Sequence, residues 1–195
     1  MNFIKKILKY ISRIIDIFIT KIDSDKAKSE FGSYRVELKF FIENNLDKID
    51  GKILDLGSGT WTWIKDRLKD KENCYVTSFD RFKHPNVDVQ GDLFELDKYF
   101  ELGNFDSIVC LDVVEHVNNP FKAINAMSGV LKSNGLLLIS CPFDKELHGE
   151  DYGDYWRITR QGWQELLKND FEKIEINSWG YSKKPKAYFI KAFKK

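Results

Sequence analysis

Short, continuously apolar runs alternate with segments of helical periodicity along most of this chain, and this alternation restricts the fold more than any other feature. A run that is apolar on both faces is typical of a strand in a parallel sheet that is covered on both sides. Intervening helices supply the crossovers that such a sheet needs. The pattern predicts an α/β fold with a mostly parallel sheet and helices on both faces. The predicted strands are 52–56, 74–79, 87–90, 105–111, 136–140, 171–179 and 187–193, and the predicted helices are 37–46, 61–68, 120–131 and 159–167.

The last two of these seven strands are joined only by a turn through Gly180 and Pro185. They should form an antiparallel pair, because a parallel connection needs a dozen or more residues. With 195 residues, the chain is long enough to bury a full core without disulfides or metal ions. Cys74, Cys110 and Cys141 lie far apart and show no metal-ligand spacing with the three histidines. We therefore expect reduced cysteines, a cytoplasmic protein and no metal site.

The charges of the chain almost cancel, with 31 basic and 30 acidic residues and a net charge of +1. A long-range field that would attract nucleic acid is therefore excluded, and we expect no nucleic-acid partner. The composition, 43% hydrophobic and 31% charged, also excludes collagen, low-complexity disorder and a disulfide scaffold.

Residues 3–22 differ from the rest, because apolar residues at i, i+3 and i+4 alternate there with five basic residues and one acidic residue. The charges rule out a membrane span, which needs about 20 apolar residues, and a signal peptide. Two interpretations stay open. The helix caps the domain or pairs with a second subunit, or it lies on the anionic cytoplasmic face of a membrane. This divides the chain into a helix with a polar linker at 1–28 and a main domain at 29–195.

The first predicted strand leads directly into a turn that contains Gly57 and Gly59. Glycines let this backbone turn tightly and approach a ligand, and ligands of open α/β sheets bind beyond the carboxyl ends of the strands. Asp55 places a carboxylate at this edge, and Asp80 ends the second strand 21 residues after Gly59. A carboxylate at that position can accept hydrogen bonds from both hydroxyls of a ribose. The pattern favours a ligand that contains a nucleoside.

The type of nucleoside follows from what the turn lacks. The dinucleotide motif G-x-G-x-x-G requires a third glycine where this chain has Thr62, and a pyrophosphate needs that open backbone. Asp55 is an unfavourable neighbour for phosphates but a favourable one for a cationic amine. These residues suit a nucleoside that carries an amino acid and a sulfonium better than a dinucleotide.

The motifs together resemble those of the class I S-adenosylmethionine-dependent methyltransferases, in order over about residues 35–195. Asp55–Trp61 is similar to the family's D/E-x-G-x-G-x-G loop, although Trp61 stands in place of the third glycine. The D-Y-W-R-x-T run at 154–159 resembles a bacterial subgroup that modifies glycans and related small molecules. The other matching segments are Asp80, Gly91–Leu93, Phe105–Cys110, Asp112–Val117 and Leu131–Ile139.

The resemblance implies a Rossmann-like seven-stranded fold in residues 29–195 and S-adenosylmethionine as the cofactor. It places the cofactor-binding residues at the ends of the first three strands, and Asp112 at the methyl-transfer site. At the methionine end, the resemblance implies that Asp55 holds the amine, directly or through water, and that Gly57, Ser58 and Gly59 lie against the methionyl and ribose parts. Asp80 would bind the ribose hydroxyls. At the adenine end, Arg81 would flank the base, Asp92 would accept a hydrogen bond from its amino group, and Leu93 would lie beside the ring.

The loop after the fifth strand is aromatic and acidic, contains a histidine, and is expected to cover the methyl acceptor. An oxygen or nitrogen acceptor must lose a proton, so His148 is the first candidate base, with Asp112 and His116 as the other catalytic candidates. Tyr155 and Trp156 are candidates for stacking on a sugar or an aromatic acceptor. Alternatively, Trp156 packs into the core and its neighbour Arg157 pairs with an acid.

The sequence thus predicts methyl transfer from S-adenosylmethionine to an oxygen or nitrogen of a small-molecule or glycan-linked acceptor. Two alternatives belong to other functional classes. One is a non-catalytic partner protein with a decayed methyltransferase fold, because Trp61 breaks the pattern of the loop. The other is an NAD-dependent or nucleotide-sugar oxidoreductase, which would need the third glycine that the chain lacks.

Overall fold

The computed structural model of the chain describes residues 30–181 and 183–195. The described residues fall into two units, which divide between residues 47 and 48. In the first unit, helix α1 (Glu30–Glu43) is followed by Asn45, whose side-chain amide donates to the carbonyl of Phe41 at 2.8 Å. The predicted helix at 3–22 lies outside the described residues. No helix in the described parts of the chain is long and apolar enough to cross a membrane.

The second unit contains one seven-stranded sheet with the order β3-β2-β1-β4-β5-β7-β6. The first five strands are parallel, and β7 lies antiparallel between β5 and β6. This confirms the predicted fold class, including the antiparallel terminal pair. The strands are β1 (Gly51–Leu56), β2 (Cys74–Asp80), β3 (Val89–Gln90), β4 (Phe105–Leu111), β5 (Leu131–Pro142), β6 (Phe171–Tyr181) and β7 (Lys184–Lys194).

Three further helices connect these strands: α2 (Trp63–Leu68), α3 (Pro120–Val130) and α4 (Arg160–Leu167). Pro120 begins α3, where its missing N–H costs nothing, and the Thr159 hydroxyl caps α4 by accepting from the Gly162 N–H at 3.1 Å. The bounds of α3 and α4 agree within one residue with the helices predicted at 120–131 and 159–167. The core combines buried residues of β1, β4 and β5 with α3 and α4, where Met127 and Trp163 are fully buried.

One local prediction was wrong. The run Ser133-Asn134-Gly135 is typical of a turn before the strand predicted at 136–140, but these residues lie inside β5, where Asn134 has φ +62° and the register with β4 shifts. The irregular residue leaves Leu131 paired with Phe105, so the strand begins five residues earlier than its apolar run. A 3₁₀ segment at Leu93–Lys98 was not predicted.

Candidate active site

A cavity of about 490 Å³ opens where the carboxyl ends of β1, β2 and β4 meet. Pockets of this size are typical of sites for small molecules and cofactors. Its position beyond the strand ends follows from the parallel topology, which brings the loops after these strands to one edge. The residues that line it are Leu56, Gly57, Gly59, Phe79, Asp80, Arg81, Phe82, His84, Gly91, Asp92, Leu93, Phe94, Asp112, Val113, His116, Val117, Asn118, Tyr152 and Tyr155.

The two glycines of the loop after β1 serve different purposes. Gly57 has φ +74°, and a Cβ there would lie 2.2 Å from Cγ2 of Val113, so a side chain would collide with the segment after β4. Gly59 has φ +55°, and a Cβ there would meet no atom within 4 Å. Gly57 is thus required by packing, whereas Gly59 keeps a stretch of backbone open to the cavity.

Asp80 is buried at the end of β2 and holds the glycine loop in place. Its Oδ2 accepts from the N–H of Gly59 at 2.7 Å, and its Oδ1 accepts from the N–H of Phe82 at 2.8 Å. A carboxylate offers about four acceptor positions, so each oxygen keeps capacity for one further donor. Because Asp80 also lines the cavity, this is the geometry needed to bind two neighbouring hydroxyls.

Three residues of the motif lie off the cavity wall. Asp55, Ser58 and Trp61 are not among the described residues that line the cavity. Asp55 is buried, and this burial raises the pKa of its carboxyl to about 7, although nearby Lys65 acts in the opposite direction. Ser58 is also buried, and its hydroxyl has no hydrogen-bond partner among the described residues. The predicted roles of Asp55 and Ser58 in holding the cofactor remain predictions.

The residues assigned to the adenine end line the cavity as expected. Asp92 caps the 3₁₀ segment Leu93–Lys98 by accepting from the N–H of Phe94 at 2.8 Å. Arg81 and Leu93 lie on the same wall. His84, which lies in the short connection between β2 and β3, also lines the cavity. That connection contains no helix, so this side of the cavity is formed by loop residues.

Asp112 follows β4 in a strained conformation, with φ +55°. Its N–H donates to the carbonyl of Ser140 at 3.1 Å, and its Oδ1 accepts from the hydroxyl of Ser140 at 2.6 Å. These contacts with β5 fix a carboxylate at the cavity wall, and the predicted place of Asp112 at the methyl-transfer site stays a prediction.

His116, Tyr152 and Tyr155 form the side of the cavity assigned to the acceptor. The Nδ1 atom of His116 lies 2.5 Å from the carbonyl oxygen of Gly153, and its ring meets that of Tyr152 edge-on, with centroids 4.6 Å apart. Burial lowers the pKa of His116, which keeps its imidazole neutral near pH 7. Of the two predicted histidine bases, His116 is the one on the cavity wall.

His148 and Trp156 do not line the cavity, which differs from the positions expected for a base and a stacking residue. The His148 ring lies behind His116, with centroids 4.8 Å apart. Trp156 is 40% exposed and donates from Nε1 to the carbonyl of Val117 at 2.8 Å, so it packs neither on the cavity nor in the core. Both positions depend on the packing of this loop against the segment after β4, which is distant in sequence.

Arg157 forms the ion pair that was predicted as one alternative. Its Nη1 and Nη2 atoms lie 2.6 and 2.8 Å from the two oxygens of Asp154. Asp154 also accepts from the N–H of His148 at 3.0 Å. Arg157 therefore braces the acceptor loop.

Sequence reasoning missed several lining residues because they belong to no motif. They come from the connection after β2, the 3₁₀ segment after β3, the segment after β4 and the loop after β5. The exposed aromatic residues of that last loop were the available signal for Tyr152. The missed residues with side chains of clear chemical character are Phe82, His84, Phe94, Asn118 and Tyr152.

The sequence model of a family described as "Methyltransferase domain" matches residues 26–178. The chain belongs to this methyltransferase family. The match includes the glycine loop, Asp80, Asp112 and His116, which are the residues that the fold brings to the cavity. No curated protein matches the sequence.

Solved structures share the fold of this methyltransferase at low sequence identity. A SAM-dependent methyltransferase from Archaeoglobus fulgidus is 15% identical, with a TM-score of 0.65, and the match covers 82% of this chain and 94% of that one. The PH0226 protein from Pyrococcus horikoshii OT3 is 20% identical, with a TM-score of 0.62 and coverages of 86% and 93%. The CurJ carbon methyltransferase is 15% identical, with a TM-score of 0.60, and the match covers 75% of this chain and 49% of that one. The present chain thus spans about half the length of the CurJ carbon methyltransferase chain.

The cofactor predicted from the sequence, S-adenosylmethionine, is the one that this family assignment supports. The residues of the cavity fit it in two respects. Asp80 keeps two acceptor positions for the ribose hydroxyls, and the space beside Gly59 is open to the body of the cofactor. The chain therefore has a cavity of suitable size and chemistry for this cofactor at the carboxyl ends of β1, β2 and β4.

Proposed function

We propose that this chain binds S-adenosylmethionine in the cavity and catalyses transfer of its methyl group to an oxygen or nitrogen of a small-molecule or glycan-type acceptor. The observation that carries the proposal is the position of Asp80, a buried carboxylate on the cavity wall with both oxygens able to accept a further hydrogen bond. The ribose hydroxyls are the matching donors. The predicted contacts of Arg81, Asp92 and Leu93 with adenine agree with their positions on the same wall.

The chain's own residues supply positioning and proton removal. When bound, the cofactor supplies a sulfonium methyl group that an acceptor attacks in line, and holding the two partners at near-contact distance provides much of the rate acceleration. The fixed carboxylate of Asp112 is placed to orient the acceptor, since it lies on the wall and is held by Ser140. His116, with its neutral imidazole, is placed to take the proton that the acceptor loses.

The aromatic rim of the cavity supports the proposed class of acceptor. Phe82 and Tyr152 meet edge-on with centroids 6.3 Å apart, and Tyr155 is 55% exposed on the same wall. Exposed aromatic rings beside a polar cavity suit the apolar face of a sugar or a flat aromatic acceptor. The resemblance of residues 154–159 to a subgroup that modifies glycans points to the same class.

Trp61 supported the alternative of a decayed, non-catalytic protein, because its bulk was expected to interfere with the loop. Its position off the cavity wall removes that argument. Gly59, the residue whose replacement would fill the ligand space, is retained.

The experiment for this proposal is transfer of label from S-adenosylmethionine that is radioactive in its methyl group to fractionated cell extract. We expect label in the small-molecule or glycan fraction, and none when Asp80→Ala replaces the wild type. An Asp97→Asn variant is the matched control, because Asp97 is exposed and lies outside the wall of the cavity. Label in nucleic acid or in protein side chains would contradict the proposed acceptor class, and no label in any fraction would contradict catalysis.

A further inference from the structure

Three side chains that can ligate a metal ion lie close together beside the acceptor side of the cavity. The ligand atoms of Glu115, His116 and His148 all lie within 4.8 Å of one another, and Nε2 of His116 is 3.7 Å from Oε1 of Glu115. Glu115 and His116 belong to the 3₁₀ segment after β4, whereas His148 belongs to the loop after β5. The fold thus joins two segments that are separated by about thirty residues in sequence.

Glu115 has an environment that leaves its carboxyl group unsatisfied. It is fully buried, and neither oxygen makes a hydrogen bond of normal geometry with a described residue, although the Cys141 thiol is close enough to act as a weak donor. Protonation alone does not satisfy the group, because a buried carboxylic acid still needs partners for its O–H and its carbonyl oxygen. A bound cation would satisfy both oxygens.

The two histidines are held in the orientation that a metal ligand requires. Nδ1 of His116 faces the carbonyl oxygen of Gly153 at 2.5 Å. Nδ1 of His148 faces the carbonyl oxygen of Glu146 at 3.1 Å and a carboxylate oxygen of Asp154 at 3.3 Å. Oxygen acceptors at Nδ1 place the proton on that nitrogen and leave the Nε2 lone pair for a metal, which is the usual outer-shell arrangement of metal-binding histidines.

We propose that Glu115, His116 and His148 form a binding site for one divalent cation of the zinc type, beside the cofactor cavity. Two imidazole nitrogens and one carboxylate are a donor set of catalytic zinc sites, which keep a further position open. Because His116 lines the cavity, that open position faces the space assigned to the acceptor. The inference goes beyond the proposed function and changes one step of it. When the cation is bound, Nε2 of His116 is a ligand, so His116 takes the acceptor's proton only in the metal-free protein.

The site already holds a positive charge. Nζ of Lys145 lies 3.2 Å from Nε2 of His148, so the ammonium group uses the lone pair that the metal would use. Metal binding must therefore displace this ammonium. We expect Lys145→Met to bind zinc more tightly than the wild type, which a site with no role for His148 would not show.

The test is titration of the full chain, freed of metal by a chelator, with zinc in competition with a chromophoric zinc indicator. We expect one zinc per chain, and at least tenfold weaker binding by His116→Gln and by His148→Gln. His84→Gln is the matched control, because His84 is the remaining histidine of the sequence and lies outside the cluster. His148 is the safer of the two ligand variants, since its side chain is 24% exposed on a loop. Cobalt bound in place of zinc gives a second measurement besides affinity, because a cobalt ion ligated by His148 absorbs visible light. The His148→Gln variant should lose these absorption bands.

Two results would overturn the proposal. One is the absence of saturable zinc binding by the wild type. The other is equal zinc binding by the wild type and by a His116→Gln/His148→Gln variant whose circular dichroism shows the native fold. Neither result bears on S-adenosylhomocysteine binding, so failure of the metal site is distinguishable from failure of the proposed function.

Discussion

At the scale of single residues, the chemistry of the site depends on which groups the fold buries. Asp55 and Asp80 both end strands and were both predicted at the cofactor, but only Asp80 reaches the cavity wall. The alternation of side chains along each strand and the turn that follows the strand determine which carboxylate faces the cavity. The sequence identified both carboxylates because their positions after apolar runs are local signals. It did not reveal that Asp55 is buried behind the loop, because that depends on the packing of neighbouring segments.

Asp55 gives a prediction about the stability of the cofactor-free protein. Its folded-state pKa of about 7 lies above its value of about 3.9 in an unfolded chain, so the folded state is relatively favoured at low pH and loses this advantage as the pH rises towards and through 7. Asp55→Asn removes the ionisation. As the pH rises from 4.5 to 8, we expect the free energy of unfolding of the variant to increase by roughly 1–4 kcal/mol relative to that of the wild type. Urea unfolding at the two pH values measures this, and an unchanged difference would contradict the account.

The glycine loop gives a second prediction that separates packing from binding. Gly57→Ala should lower the free energy of unfolding by roughly 1–3 kcal/mol, because it combines a positive φ with a collision against Val113. Gly59→Ala has a positive φ but no collision, so it should cost less stability. It should instead weaken binding of S-adenosylhomocysteine, since its methyl group enters the ligand space. Urea unfolding and calorimetry on both variants check this, and equal effects of the two variants would be inconsistent with it.

At the scale of elements, the strands that place the site were predicted well. The apolar runs of β1, β2 and β4 are local signals, and β4 was predicted with its observed bounds. The loop after β5 was predicted to cover the acceptor, but which of its side chains reach the cavity was not, because the position of the loop depends on contacts across about 35–40 residues. The N–H groups of Tyr155 and Trp156 both donate to the carbonyl of Glu115, at 2.8 and 3.3 Å. No sequence pattern encodes such backbone contacts.

The ion pair between Asp154 and Arg157 gives a prediction for this loop. Hydrogen bonding to Arg157 holds the pKa of Asp154 well below its usual range, so its stabilising effect is complete above about pH 4 and is lost as the pH falls towards the folded-state pKa. At neutral pH, Arg157→Gln should make the loop at 144–157 several-fold more sensitive to limited proteolysis. Lys168→Gln, which removes an exposed ion pair with Glu165, is the control. Equal cleavage rates for both variants would count against a bracing role for Arg157.

At the scale of the whole molecule, the described residues that line the cavity all belong to residues 48–195. Residues 1–28 were predicted to form a separate helix and linker. We therefore expect a chain that begins at residue 29 to bind S-adenosylhomocysteine within about twofold of the full chain. Isothermal titration calorimetry compares the two, and a tenfold loss would show that the N-terminal segment contributes to the site.

The same pair of proteins distinguishes the two interpretations of the N-terminal segment. If residues 3–22 bind a membrane surface, the full chain floats with anionic vesicles and the truncated chain does not. If they pair with a second subunit, analytical ultracentrifugation shows a dimer that the truncation abolishes.

The central claim is that the cavity at the ends of β1, β2 and β4 binds S-adenosylmethionine through Asp80. Calorimetric titration of the wild type and Asp80→Asn with S-adenosylhomocysteine, and of the wild type with NAD, tests it most directly. We predict saturable one-to-one binding of S-adenosylhomocysteine by the wild type, roughly 10- to 100-fold weaker binding by the variant, and no binding of NAD. Equal affinity of the wild type and a folded Asp80→Asn variant, or binding of NAD in preference to S-adenosylhomocysteine, would contradict it.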